Sequence, residues 1–183
     1  MKTPPGTVEI FLAPGEHYFG DRHTRIRTLL GSCVAISLWH PQRHLGGMCH
    51  YLLPARMRGE TEELDGKYAD EALHLLIGEL TRAGTRLQDY ECKLFGGGNM
   101  FPDRQRKTAR CAADHVGRKN AQAGRDLMRR HGLRPAREDL EGAGHRNVIF
   151  DLWTGNVWVK HVVLPAAPAQ CANCEGNTLC LNG

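Results

Sequence analysis

Gly31-Ser32-Cys33-Val34-Ala35-Ile36-Ser37-Leu38-Trp39, His40-Pro41-Gln42-Arg43 and His44-Leu45-Gly46-Gly47-Met48-Cys49-His50-Tyr51 follow one another without a break. The first run is apolar and β-branched, the second has turn chemistry, and the third is apolar again, which predicts a β-hairpin. A turn centred between Pro41 and Gln42 pairs the strands so that Cys33 falls opposite His50 on one face. Opposite residues hold their Cβ atoms about 5 Å apart. A thiol beside an imidazole can lose its proton and attack carbon as a thiolate. The prediction depends on register, because a slip of one residue turns the histidine to the other face.

Working outward, residues 8–13 read as an opening strand ended by Pro14-Gly15, and Glu16 to Arg25 as a polar loop. Residues 67–83 carry an apolar stripe at helical spacing, with Asp65 near the N-cap and Gly84 after the last turn. Residues 92–95 make a short strand that runs into Gly96-Gly97-Gly98-Asn99. A second helix is expected over 117–131, where Arg129, Arg130 and His131 suit the C-terminal dipole. Residues 134–139 suggest a strand, and 147–151 with 156–162 a hairpin around Trp153-Thr154-Gly155. Strands early, in the middle and late, with helices between, predict an α+β domain of mostly antiparallel sheet over residues 1–164. Residues 165–183 read as a loose tail rich in Ala, Pro, Gly, Asn and Cys.

The bulk numbers narrow the function. A chain of 183 residues, 41% hydrophobic and 24% charged, is an ordinary globular domain with room for a core. No apolar run approaches the ~20 residues that cross a bilayer, and MKTPPGTVEI lacks the apolar centre of a secretory signal. A cytoplasmic protein without membrane insertion is expected. The net charge of +4 is modest, and the basic run Arg104 to Arg110 has no aromatic ladder, so no nucleic-acid partner is expected.

Each candidate for chemistry has a plainer alternative. Cys33 can be a small buried hydrophobe, although Gly31-Ser32 before it suits a tight turn whose N–H groups face a developing oxyanion. His50 can be a core histidine. As a base it needs a third group to fix its tautomer, for which Thr28, Ser32, Asn99 and Asp70 have the right chemistry. Gly96-Gly97-Gly98-Asn99 lacks both nucleotide-loop patterns, so its glycines serve unusual dihedrals or close approach to a substrate chain. Cys171, Cys174 and Cys180 could bind zinc with His161. A redox-sensitive tail is the preferred reading, and no metal or cofactor is expected.

Beyond these residues the match becomes specific. Thr28-Leu-Leu-Gly31-Ser32-Cys33-Val34-Ala35 with Gly46-Gly47-Met48-Cys49-His50 and Leu53-Pro54 resembles the signature of CheD, the chemoreceptor glutamine deamidase family of bacterial chemotaxis. Lys67 to Ala72, Lys93 to Phe101, Gly117-Arg118-Lys119-Asn120, Phe150-Asp151 and Thr154-Gly155 extend the likeness over roughly residues 8–163. The resemblance implies a cysteine hydrolase, related in fold to toxin deamidases, with packed sheets flanked by helices. Its nucleophile and base fall on Cys33 and His50, and its third catalytic residue on Thr28. Ser32, Gly97 and Asn99 become candidates for the oxyanion site and the substrate loop. The implied substrates are glutamines on the cytoplasmic helices of methyl-accepting chemotaxis receptors. A chemotaxis phosphatase is a further partner, so a docking module without turnover is the alternative. Transglutamination or thiol proteolysis would begin from the same thioester. Gly98 departs from the alanine common in the family, and the tail after Pro165 has no counterpart there.

Overall fold

Alternation of side chains along Thr24–Leu30 and Val34–His40 decides how the layers stack. The computed structural model describes residues 3–56, 63–100 and 112–163, with side chains of the last segment from residue 116. Nine strands are described: β1 (Val8–Phe11), β2 (His17–Gly20), β3 (Thr24–Leu30), β4 (Val34–His40), β5 (Leu45–Tyr51), β6 (Glu91–Gly96), β7 (Arg137–Leu140), β8 (His145–Asp151) and β9 (Asn156–Val162). Two helices, α1 (Ala69–Arg82) and α2 (Ala112–Arg130), complete the described elements with a 3₁₀ turn at Leu87–Asp89. The order β1-β3-β8-β9 forms one sheet and β2-β5-β4-β6-β7 the other. β1 with β3 and β6 with β7 run parallel, and the other pairs are antiparallel.

The five-stranded sheet is buried on both faces. Val34, Ile36, Leu38, Cys49 and Tyr51 face Leu73, Leu76 and Leu80 of α1 and Leu127 and Met128 of α2. Ala35, Met48 and Phe95 face Ile26, Leu30, Val148 and Phe150 of the four-stranded sheet. The layers are therefore sheet, sheet and helices, an α+β arrangement as expected. Each buried Leu, Ile or Phe contributes about 1.5–3 kcal/mol to holding them together.

The outer face of the four-stranded sheet is open. Its cross-strand row Phe11–Arg27–Ile149–Trp158 leaves Phe11 and Trp158 exposed, and Leu29 lies beside it. Both helices end on a left-handed glycine that returns N–H groups to the last turn. Gly84 bonds Thr81 and Thr85 bonds Leu80, while Gly132 bonds Arg129 and Leu133 bonds Met128.

Four expectations need correction. The polar segment expected to be a loop from Glu16 to Arg25 contains β2 and the start of β3. In β3, Ile26, Thr28 and Leu30 alternate with Arg25, Arg27 and Leu29, so the arginines masked a period-two pattern. Asp65 does not cap α1. Tyr68 takes the N-cap in extended conformation without a side-chain bond, and the Asp65 carboxylate accepts the Lys67 N–H. The second helix begins at Ala112, so Gly117, expected at its start, lies inside it and packs closely on Gly97. The register of the β4–β5 hairpin is also shifted, which bears on the site. The basic run Arg104 to Arg110 and the cysteines at 171, 174 and 180 lie outside the described residues.

Candidate active site

β4 and β5 are joined by a four-residue turn, 41–44, closed by the His44 N–H on the His40 carbonyl at 2.9 Å, with His44 in left-handed conformation. That centres the turn between Gln42 and Arg43, one position later than expected. His50 therefore pairs with Ala35, and Cys33 is one step beyond the last ladder pair, Val34–Tyr51. The shift along the partner strand is two residues, so the faces survive. Cys33 packs into the inter-sheet core with Ala35 and Met48. His50 follows the same alternation and lies diagonally from Cys33 on that face, where such neighbours sit about 7–8 Å apart in backbone terms.

Thr28 reaches His50 from the other sheet. Its Oγ1 lies 2.9 Å from His50 Nδ1 and 2.8 Å from the Leu12 carbonyl. A carbonyl only accepts, so the threonine hydroxyl donates its one hydrogen to Leu12. Thr28 then has only lone pairs for the imidazole, and His50 Nδ1 must carry the proton. The lone pair falls on Nε2, which is buried and has no hydrogen-bond partner among the described residues. This includes Cys33: no hydrogen bond joins the two in the resting geometry. Burial lowers the His50 pKa to about 4, against the Leu12 carbonyl and Glu16, which raise it. The ring is thus neutral at physiological pH. Its backbone is tied as well, to Glu16 O at 2.9 Å and from Gly15 N at 2.7 Å.

Cys33 is partly exposed, whereas His50 and Thr28 are buried. Burial pushes its thiol above the ordinary value, and its own backbone N–H opposes that rise. A thiol and a neutral imidazole are the resting state. Three bonds hold the cysteine segment. Gly97 N–H donates to the Cys33 carbonyl at 2.7 Å, Gly98 N–H to the Gly31 carbonyl at 2.8 Å, and Asn120 Nδ2 to the Ser32 carbonyl at 3.0 Å.

The glycine segment makes its close approach to the protein's own backbone. Gly97 is left-handed, and a Cβ there would lie 2.8 Å from the Gly117 carbonyl of α2. A Cβ on Gly98 would strike the Gly144 carbonyl. Asn99 is bridged to Ala143 by backbone bonds with Gly142 and Gly144. Arg146, buried in the same region, braces this loop through Asp139 at 2.9 Å and the Glu141 carbonyl at 2.6 Å.

Of the groups weighed as orienters of His50, Thr28 alone bonds it; Asp70 stands on α1, on the far side of the five-stranded sheet. A concavity of about 890 Å³ lies beside the site, lined by Leu12, Glu16, Tyr18, Arg56 and Lys67 among others, but not by Cys33 or His50. The described His, Cys, Asp and Glu residues include no group able to hold a metal ion. No described helix is long and apolar enough to cross a membrane. Sequence reasoning missed the Leu12 carbonyl and the Asn120 amide. Asn120 is marked in the sequence only as the last residue of the block Gly117-Arg118-Lys119-Asn120 and as a polar, poorly helix-forming residue inside a helix.

The family model described as CheD chemotactic sensory transduction matches residues 52–161. A protein of Pseudomonas fluorescens called probable chemoreceptor glutamine deamidase CheD is 52% identical, over 88% of this chain and 89% of its own. A protein of the same name from Pseudomonas savastanoi is 50% identical over 91% and 92%. The chain is also 47% identical to the probable chemoreceptor glutamine deamidase CheD 1 of Chromobacterium violaceum, over 85% and 79%. The family model begins just past His50, but the match to the Pseudomonas fluorescens protein is too long to leave out Thr28, Cys33 and His50.

Proposed function

The chain belongs to the CheD family, and from that premise we propose that it hydrolyses glutamine side chains of chemoreceptors to glutamate, with Cys33 as nucleophile and His50 as base. The observation that carries this reading is the Leu12–Thr28–His50 chain of hydrogen bonds. It leaves a bare Nε2 lone pair on the face that also holds the partly exposed thiol.

His50 Nε2 takes the Cys33 proton as the sulfur attacks the glutamine Cδ. The carbonyl electrons move to oxygen, and the oxyanion is met by backbone N–H groups at Ser32 and Cys33. Nε2 returns the proton to the leaving nitrogen, ammonia departs and a thioester remains on Cys33. A water then gives its proton to Nε2 and attacks the thioester carbon. The sulfur leaves, regains a proton, and glutamate is released. Throughout, Thr28 Oγ1 accepts from Nδ1–H and keeps the base in one tautomer. Each turnover puts a negative charge on the receptor.

On this reading the protein works in the cytoplasm on receptor cytoplasmic helices, and a chemotaxis phosphatase is a docking partner. Docking that survives Cys33→Ala would separate that role from turnover. Catalysis is tested by ammonia release from a receptor cytoplasmic fragment. Cys33→Ala should abolish it with the fold intact, and retained release would reject the mechanism.

A further inference from the structure

Asn120 stands inside α2, fully buried, and touches both strand ends that carry the reacting groups. Its Nδ2 donates to the Ser32 carbonyl at 3.0 Å and the Leu52 carbonyl at 2.6 Å. Its backbone carbonyl accepts the Tyr51 hydroxyl at 2.8 Å. Both of the first two partners are carbonyls, so the nitrogen end of the amide is fixed on them. Oδ1 is left buried with no partner among the described residues. The position therefore uses the two donors and leaves the acceptor idle. The bonds fall where the β4–β5 ladder stops, just past Val34–Tyr51, and tie together backbone that no ladder bond holds.

We propose that Asn120 is the positioning residue of the oxyanion site, an inference that rests on Cys33 being the nucleophile. The Ser32 carbonyl and the Cys33 N–H belong to one peptide unit. A trans peptide is planar, so its N–H points opposite to its C=O. Asn120 holds that carbonyl from α2, so the Cys33 N–H points away from that helix. The Cys33 thiol lies on the inter-sheet side, close enough to its own N–H to be affected by it. An oxyanion formed on a carbon bonded to Sγ develops beside that N–H. A donor on the carbonyl also polarises the amide and strengthens its N–H as a donor. The second bond, to Leu52, references the same nitrogen to the strand bearing His50.

A role limited to fastening α2 to the sheet would change how much protein folds, and not what the folded protein does. The two are separated by comparing turnover with iodoacetamide alkylation of Cys33, a displacement at saturated carbon that forms no oxyanion. Both rates scale with the folded fraction, so their ratio cancels it. In the full chain acting on a receptor cytoplasmic fragment, Asn120→Ala should lower kcat on the order of 10²-fold. KM and the alkylation rate should stay near wild type. Asn120→Ser, which keeps one donor, should recover part of the loss, and it carries the test if the alanine variant does not fold. Turnover and alkylation falling in proportion, a change in KM alone, or unchanged kcat would overturn the proposal. Wild-type protein that releases no more ammonia than Cys33→Ala would instead overturn the parent reading.

Discussion

Cys33 and Cys49 lie on the same hairpin and on opposite faces of one sheet. Cys49 points at the helices, is wholly buried, and burial pushes its pKa to about 12. Cys33 points at the other sheet, is partly exposed, and shares its face with a neutral imidazole fixed by Thr28. Both thiols are raised by burial, so a low resting pKa does not distinguish them. What differs is access and the neighbouring imidazole, whose Nε2 has no hydrogen-bond partner among the described residues. The alternation of a β-strand puts one cysteine of the hairpin on the face with the imidazole and packs the other against the helices.

The largest test of that contrast exchanges the sulfurs in turn. Cys33→Ala should cost on the order of 10⁴-fold or more in turnover at unchanged stability. Cys49→Ala should leave turnover near wild type and lower stability by about 1 kcal/mol, read by denaturant unfolding. Comparable activity losses in the two variants would erase the distinction. Next in size is Thr28→Val, which keeps the shape but removes the acceptor for Nδ1–H. Turnover should fall on the order of 10²-fold, with alkylation of Cys33 much less affected. An unchanged kcat would remove Thr28 from the machinery.

That Cys33 and His50 share a face was legible in the sequence, for a reason that also explains why their expected pairing fails. The hairpin was expected to be centred one position early, which moved His50 two residues along its partner strand, from Cys33 to Ala35. A two-residue shift keeps side chains on their faces, so the face was right although the opposite partner was wrong. β3 is obscured because arginines occupy the solvent side of an otherwise regular alternation, and β2 because its four residues are all half-buried and show no alternation. Thr28 could be named from chemistry and resemblance. The Leu12 carbonyl that decides its hydrogen-bond direction could not, since main-chain acceptors leave no mark on residue identity. Asn120 is 88 residues from Ser32, and no local pattern reports a contact that long.

A smaller effect distinguishes the two layers by pH. The folded His50 pKa is about 4, below its ordinary 6.5, so folding disfavours the charged ring. Above pH 6.5 the ring is neutral folded or unfolded and costs nothing. As pH falls from 6.5 to 4 the unfolded chain takes the proton first, and stability drops by up to roughly 3 kcal/mol. His50→Gln should flatten that part of the stability profile, whereas Cys49→Ala should leave its slope intact. The acid limb of kcat/KM should follow the same group and have its midpoint near 4; a midpoint at 6.5 would show a solvated imidazole. Smallest is the labelling contrast: brief iodoacetamide treatment of native protein should mark Cys33 and spare Cys49 and Cys92, as peptide mapping would read.

The most direct measurement is acid-quenched mass spectrometry of the enzyme during turnover on a receptor cytoplasmic fragment. A covalent acyl adduct on the peptide containing Cys33, absent from Cys33→Ala together with glutamate formation, is the predicted result. Glutamate formed at the wild-type rate by Cys33→Ala, or an adduct on Cys49, would contradict the account.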